Sequence, residues 1–162
     1  MTRAARRLPE LGPHGEGWVA LQLLLYAAVA IVGVRGRRWS PAAARLLRPV
    51  AAGLALVGTG LMGSGAVALG RAMTPNPRPR EGAGLREGGA YALVRHPVYG
   101  GVVLGALAWA LWLSPTALAP TALTAAFLDL KARREEAWLE ERHTCYGDYR
   151  ARVRRRFLPA LW

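Results

Sequence analysis

The run PVYGGVVLGALAWALWLSPTALAPTALTAAFL, residues 97–128, carries no charge over thirty-two positions. As one helix it would be about 48 Å long, against a hydrocarbon core of about 30 Å. Two complete crossings would need about forty residues and a turn. Ser114-Pro115 and Pro120 interrupt the run near its middle, where proline removes a helical N–H and clashes with the preceding turn. This predicts a helical hairpin, Val98–Leu113 and Thr116–Leu130, that just crosses a bilayer or stops short of its far side. The segments before and after it then lie on one side.

Working outward, the second arm runs on as DLKARREEAWLEER, Asp129–Arg142. These are good helix formers, so the helix is expected to leave the membrane and continue into water. Upstream, GRAMTPNPRPREGAGLREGGAY, residues 70–91, holds Pro75, Pro77, Pro79 and five glycines. That composition forbids a long helix and predicts an ordered aqueous loop with short helical turns. Two more apolar runs come earlier. Trp18–Val34 has seventeen residues, about 25 Å, and Pro49–Leu69 has twenty-one, about 31 Å. The first follows a basic, weakly structured leader, 1–16, with Arg3, Arg6 and Arg7. It reads as an uncleaved signal anchor, because further apolar runs follow it and no clean cleavage site ends it. The second carries Gly53, Gly58, Gly60, Gly63 and Gly65, which in a bilayer let helices approach closely. The expected fold is all-α and a single domain, 1–162. It is a polytopic membrane bundle of about four membrane helices, with a C-terminal helix emerging into the cytoplasm.

The chain is 52% hydrophobic yet carries a formal net charge of +12. Its charges sit in blocks separated by uncharged runs, the pattern of a membrane protein with basic aqueous loops and not of a globular nucleic-acid binder. Loop 70–97 has five arginines, the tail from residue 131 has nine basic residues, and the connector after the first run has Arg35, Arg37, Arg38, Arg45 and Arg48. The positive-inside rule places the leader, loop and tail in the cytoplasm and leaves the connector outside, against the rule. The single cysteine, Cys145, excludes an internal disulfide and a cysteine metal cage. His14, His96 and His143 are far apart, so no metal site is expected.

Gly58-Thr59-Gly60-Leu61-Met62-Gly63 matches GxGxxG, but it lies inside an apolar run with no strand before it, so it reads as helix packing. Gly101 and Gly105 form a GxxxG of the same kind. ALVRHPVYGG, Ala92–Gly101, is more informative. Pro97 suits the first turn of a helix, which places Arg95 and His96 at a helix N-terminus where amide donors and the dipole favour an anion. Tyr99 and Gly101 follow on that turn. The same residues would also serve as a plain interfacial boundary. Four of the ten acidic residues, Glu135, Glu136, Glu140 and Glu141, fall within seven positions. Alone they read as a solvated helix face. The hairpin, however, returns residue 135 to the side and depth of residues 95–101. An anion-binding helix start facing a carboxylate pair suits a ligand carrying both a carboxylate and an ammonium.

GGAYALVRHPVYGG, an apolar hairpin, then REEAWLEERHTCYGDYRARVRRRFLP together resemble the membrane methyltransferases of the isoprenylcysteine carboxyl methyltransferase and phospholipid methyltransferase superfamily, over residues 70–159. The resemblance implies a site for S-adenosylmethionine. Tyr91, Leu93, Arg95, His96, Pro97, Tyr99 and Gly101 would line it, and Glu135 and Glu136 would close it from the last helix. In that expectation His96 and helix-start amides hold the cofactor carboxylate, a glutamate holds its ammonium or ribose hydroxyls, and Tyr91 or Tyr99 packs on adenine. Arg95 and Glu136 are the expected catalytic pair. Where the family often has Phe-Gly before paired tyrosines, this chain has His143-Thr144-Cys145. That leaves His143, Tyr146 and Tyr149 open between cofactor contact and packing of the tail. The expected acceptor is lipidic or small and apolar, reached laterally from the membrane. A carboxylate or thiol is favoured, since either needs little base catalysis once ionised, and Arg95 or Arg154–Arg156 could steer it. The other function class is a non-catalytic membrane protein whose basic face binds anionic lipids or a protein partner.

Overall fold

The computed structural model describes residues 8–78, 82 and 84–159. Arg3, Arg6, Arg7, Pro79, Arg80 and the last three residues of FLPALW lie outside the described residues. Five α-helices follow in order: α1 (Glu16–Arg35), α2 (Pro41–Leu69), α3 (Pro97–Leu113), α4 (Leu118–Arg142) and α5 (Tyr146–Arg152). Short 3₁₀ turns occupy Gly70–Ala72, Gly89–Ala92 and Pro115–Ala117. The described residues contain no strand, so the all-helical expectation holds.

The hairpin forms as α3 and α4, broken at Ser114 and Pro115. Ser114 Oγ accepts from the Thr116 amide and donates to the Arg37 carbonyl (2.7 Å), which ties the apex to the connector. α2 starts eight residues before the expected Pro49. Ser40 Oγ accepts from the Ala43 amide and Pro41 stands at the first helical position. Pro49 is carried inside the helix, so Arg45 and Arg48 belong to α2 and not to a loop.

Two helices, α1 and Pro41–Ala72, are long and apolar enough to cross a membrane. α3 has seventeen residues, and α4 is apolar only before Asp129. These helices turn large apolar side chains outward: Leu24, Leu46, Leu56 and Val67 are 67%, 75%, 77% and 83% exposed. Arg95, His96, Lys131, Arg134 and Glu136 are buried instead. This inverts the usual soluble arrangement.

α2 and α3 share the most extensive helix–helix contact, and glycine permits it. A Cβ on Gly101 would lie 2.5 Å from the Gly58 carbonyl oxygen, and one on Gly65 would lie 2.8 Å from Pro97 Cγ. The GxGxxG match thus serves packing through Gly58, while a Cβ added at Gly60 or Gly63 would meet open space. The leader, read as weakly structured over 1–16, is anchored at Pro9, Glu10 and Pro13. Trp18 donates to the Pro9 carbonyl (3.1 Å), Arg134 pairs with Glu10 (2.6 Å), and Arg78 donates to the Pro13 carbonyl (2.7 Å).

Candidate functional site

The polar half of α4 returns to the start of α3, and the C-terminal tail closes over both. The Arg95 and His96 amides donate to the carbonyls of Arg155 (3.0 Å) and Arg156 (2.8 Å), and Phe157 is fully buried beside them. The tail therefore clamps the residues just before Pro97, which begins α3 with His96 as its N-cap.

Glu136 is the hub. Its Oε1 lies 2.9 Å from Arg95 Nε, 3.2 Å from His96 Nε2 and 3.1 Å from Arg156 Nε. Arg95 also donates to the carbonyls of Val153 and Arg154, both at 2.8 Å. Arg156 pairs further with Asp129. Burial alone would raise the Glu136 pKa, but hydrogen bonds and charge from His96 and Arg156 overcome it and hold the carboxyl well below the ordinary range. Glu136 is a permanent anion, saturated with donors. Glu135 is more open. Its Oε2 accepts from Tyr99 (2.9 Å) and lies 3.7 Å from His96 Nδ1, so His96 bridges the two glutamates. The Tyr99 and His96 rings stack at 5.4 Å, interplanar angle 2°.

Beside this cluster lies a cleft with about 680 Å³ of empty space, its open mouth included. Leu69, Ala72, Thr74 and Asn76 form one wall. Arg86 and Tyr91 form another, and Arg95, His96, Glu135, Leu139, His143, Tyr146 and Tyr149 complete it. An adjoining cleft of about 330 Å³ shares Tyr91, His96 and Glu135 and adds Met73, Val98 and Tyr99.

The expected site residues divide accordingly. Tyr91, Arg95, His96, Tyr99 and Glu135 line one cleft or the other. Glu136 stands behind them as the counter-ion. Leu93 is 60% exposed on the surface. Pro97 and Gly101 face α2, where Gly101 makes the helix crossing, so neither lines a cleft. His143, Tyr146 and Tyr149, left open by sequence, all line the larger cleft. Tyr149 donates to the Tyr91 carbonyl (2.8 Å). The Tyr146 hydroxyl is buried and has no hydrogen-bond partner among the described residues. Burial, with Glu136 adding to it and Arg95 opposing, pushes the Tyr146 phenol well up. Burial likewise raises Tyr91 and Tyr149, so all three phenols remain donors at neutral pH. The three-residue spacing of Tyr146 and Tyr149 was the available signal. Arg86, Thr74 and Asn76 gave none.

One buried cation stands just behind. Lys131, the only lysine, donates to the Pro75 carbonyl (2.7 Å) and to Gln22 Oε1, and lies 5.5 Å from the Tyr99 ring centroid. It ties α1 and α4 to the loop that forms the first wall of the cleft. Among the described residues no group of His, Cys, Asp and Glu is arranged to hold a metal ion.

The chain matches no protein-family model, no curated protein and no solved structure. What the site can do is set by its own geometry.

Proposed function

We propose that this chain is an integral membrane methyltransferase that uses S-adenosylmethionine and acts on a lipidic or small apolar acceptor bearing a carboxylate or thiol. One observation carries the reading. An open cleft is lined by cations, a partly free carboxylate and three neutral phenols, one of them with a buried hydroxyl that has no partner among the described residues, all beside an apolar band. The donor set fits the cofactor. Arg86 and His96 suit its carboxylate, Glu135 its ammonium, Tyr91 the flat adenine, and the Tyr146 hydroxyl a ribose or purine acceptor. When bound, the cofactor supplies an electrophilic methyl group on a sulfonium.

The protein's own part is positioning. Glu136 fixes Arg95 and His96 from behind, the tail carbonyls lock Arg95, and Tyr99 orients Glu135. Preorganised charge of this kind stabilises a displacement without reorganising. No uncommitted base presents itself. Glu136 is saturated, His96 is held between the two glutamates, Glu135 accepts from Tyr99 and is assigned to the cofactor ammonium, and the phenols stay protonated, so an acceptor already ionised at neutral pH is favoured over an amine.

The exposed leucine and valine band supports burial of α1 to α4 in lipid, α3 and α4 forming the short hairpin of a four-helix membrane bundle. Leader, loop and tail then share the cytoplasmic side with the cleft.

The test is equilibrium binding of labelled cofactor to detergent-solubilised protein. Saturable binding is expected. Tyr146→Phe should weaken it about tenfold, roughly one hydrogen bond, without lowering the melting temperature, since that hydroxyl has no partner among the described residues and its burial is a cost to folding. Glu135→Gln should weaken it as well. A folded sample that binds no cofactor would refute the assignment, and unchanged affinity in both variants would move the site elsewhere.

A further inference from the structure

We propose that the connector end of the bundle is a docking surface for anionic phospholipid headgroups of the adjacent leaflet. It comprises the end of α1, the start of α2 and the hairpin apex at 114–117. The proposal rests on the membrane placement of α1 and α2 alone and is independent of methyl transfer.

Arg35, Arg37, Arg38, Arg45 and Arg48 are all exposed there. Residues 35–50 and 110–120 contain no Asp or Glu. Among the described residues none of the five arginines forms an ion pair with a carboxylate, and every ion pair lies toward the cleft end or on the N-terminal segment clasped to it. Local structure adds to the imbalance. The first turn of α2 holds no acidic residue, and Arg45 and Arg48 follow within its first turns. Helices α1 and α3 end there and α2 and α4 begin there, so their dipoles largely offset one another, and the positive charge of this end is that of the arginines, which no carboxylate answers.

The side chains are also placed at a defined depth. Arg38 folds back onto the Gly33 (3.4 Å) and Val34 (3.1 Å) carbonyls. The Arg48 guanidinium lies 5.8 Å from the Trp112 ring centroid. Trp39 Nε1 donates to the Ala110 carbonyl (3.0 Å), and Trp109 and Trp112 are partly exposed. Indoles settle at the headgroup level of a bilayer. The arginines are thus held where lipid phosphates lie, and a guanidinium fork fits a phosphate with two hydrogen bonds. A soluble polyanion would have to be recruited from dilute solution. Lipid phosphates are already there.

The test uses the full chain in an uncharged detergent, titrated with phosphatidylglycerol or with phosphatidylcholine and read by tryptophan fluorescence and melting temperature. Phosphatidylglycerol should give a saturable fluorescence change and raise the melting temperature. Both effects should weaken in high salt, and phosphatidylcholine should give neither. At about fivefold per arginine, the R38Q/R45Q/R48Q variant should bind phosphatidylglycerol on the order of 100-fold more weakly. R38K/R45K/R48K should keep most of the affinity, and R150Q/R152Q, at the cleft end, should keep all of it. Equal response to both lipids, or full affinity in the glutamine variant, would overturn the proposal. So would displacement of the lipid by inorganic phosphate or a short DNA duplex at similar concentration. If the glutamine variant does not fold, a salt-insensitive wild-type response would overturn it by itself. Release of the chain from membranes by alkaline carbonate would defeat the membrane placement instead.

Discussion

The two ends of this bundle solve the same electrostatic problem in opposite ways. At the cleft end, arginines and carboxylates are buried together: Arg95, His96 and Arg156 converge on Glu136. At the connector end, five arginines stand exposed beside tryptophans, with no carboxylate partner among the described residues. A charge buried in protein must carry its partner with it, because desolvation is otherwise prohibitive. A charge at the membrane surface can borrow one from lipid. The first arrangement fixes geometry and suits a site that must position a ligand. The second fixes only depth and suits a surface.

The comparison is broken most directly by removing one charge at each end. Glu136→Gln should destabilise the protein by about 3–5 kcal/mol, because Arg95 and Arg156 would keep buried charge without a full counter-ion. Reversible denaturation in detergent measures it, and a change below about 1 kcal/mol would mean that the cluster is not electrostatically closed.

Lys131 gives an intermediate case, a buried cation held by carbonyl oxygens, just beyond the apolar half of α4. Burial holds its pKa down to about 8 from the ordinary 10.5, with Glu135 pulling the other way. The unfolded chain therefore keeps a proton that the folded chain sheds between about pH 8 and pH 10.5. Folded stability relative to Lys131→Met should rise across that window, and the burial penalty should be felt in full below it. Melting temperatures of the two proteins at the two ends of the window would show it, and parallel pH profiles would refute it.

The smallest effect belongs to Arg45→Gln. In an uncharged detergent it should alter stability by less than about 0.5 kcal/mol, as expected for a surface group with no partner. If it cost as much as Glu136→Gln, the contrast between the two ends would disappear.

Much of this was legible in the residues. An uncharged run too long for one crossing, with Ser114-Pro115 at its middle, dictates a hairpin. A hairpin dictates that Glu135 and Glu136 return to His96. Helix periodicity and the cost of burying a broken backbone fix both without reference to the rest of the chain. Other features were not legible. The start of α2 was misplaced because Pro49 resembles a helix boundary, whereas Ser40 and Pro41 cap the helix earlier and Pro49 is absorbed within it. Gly101 was expected at the ligand, but it faces the Gly58 carbonyl, since a missing Cβ serves a helix crossing as well as a cofactor.

The sequence by itself determined where the chain is apolar, where it turns and which charges share a side, because those depend on local propensity and transfer free energy. Only the tertiary structure decided which carboxylate is saturated and which is more open, and that Tyr146, a residue of the cleft lining, buries a hydroxyl with no partner among the described residues. It alone showed that Lys131 reaches Gln22 across more than a hundred residues of chain. Those depend on distances between segments, which side-chain chemistry constrains but does not specify.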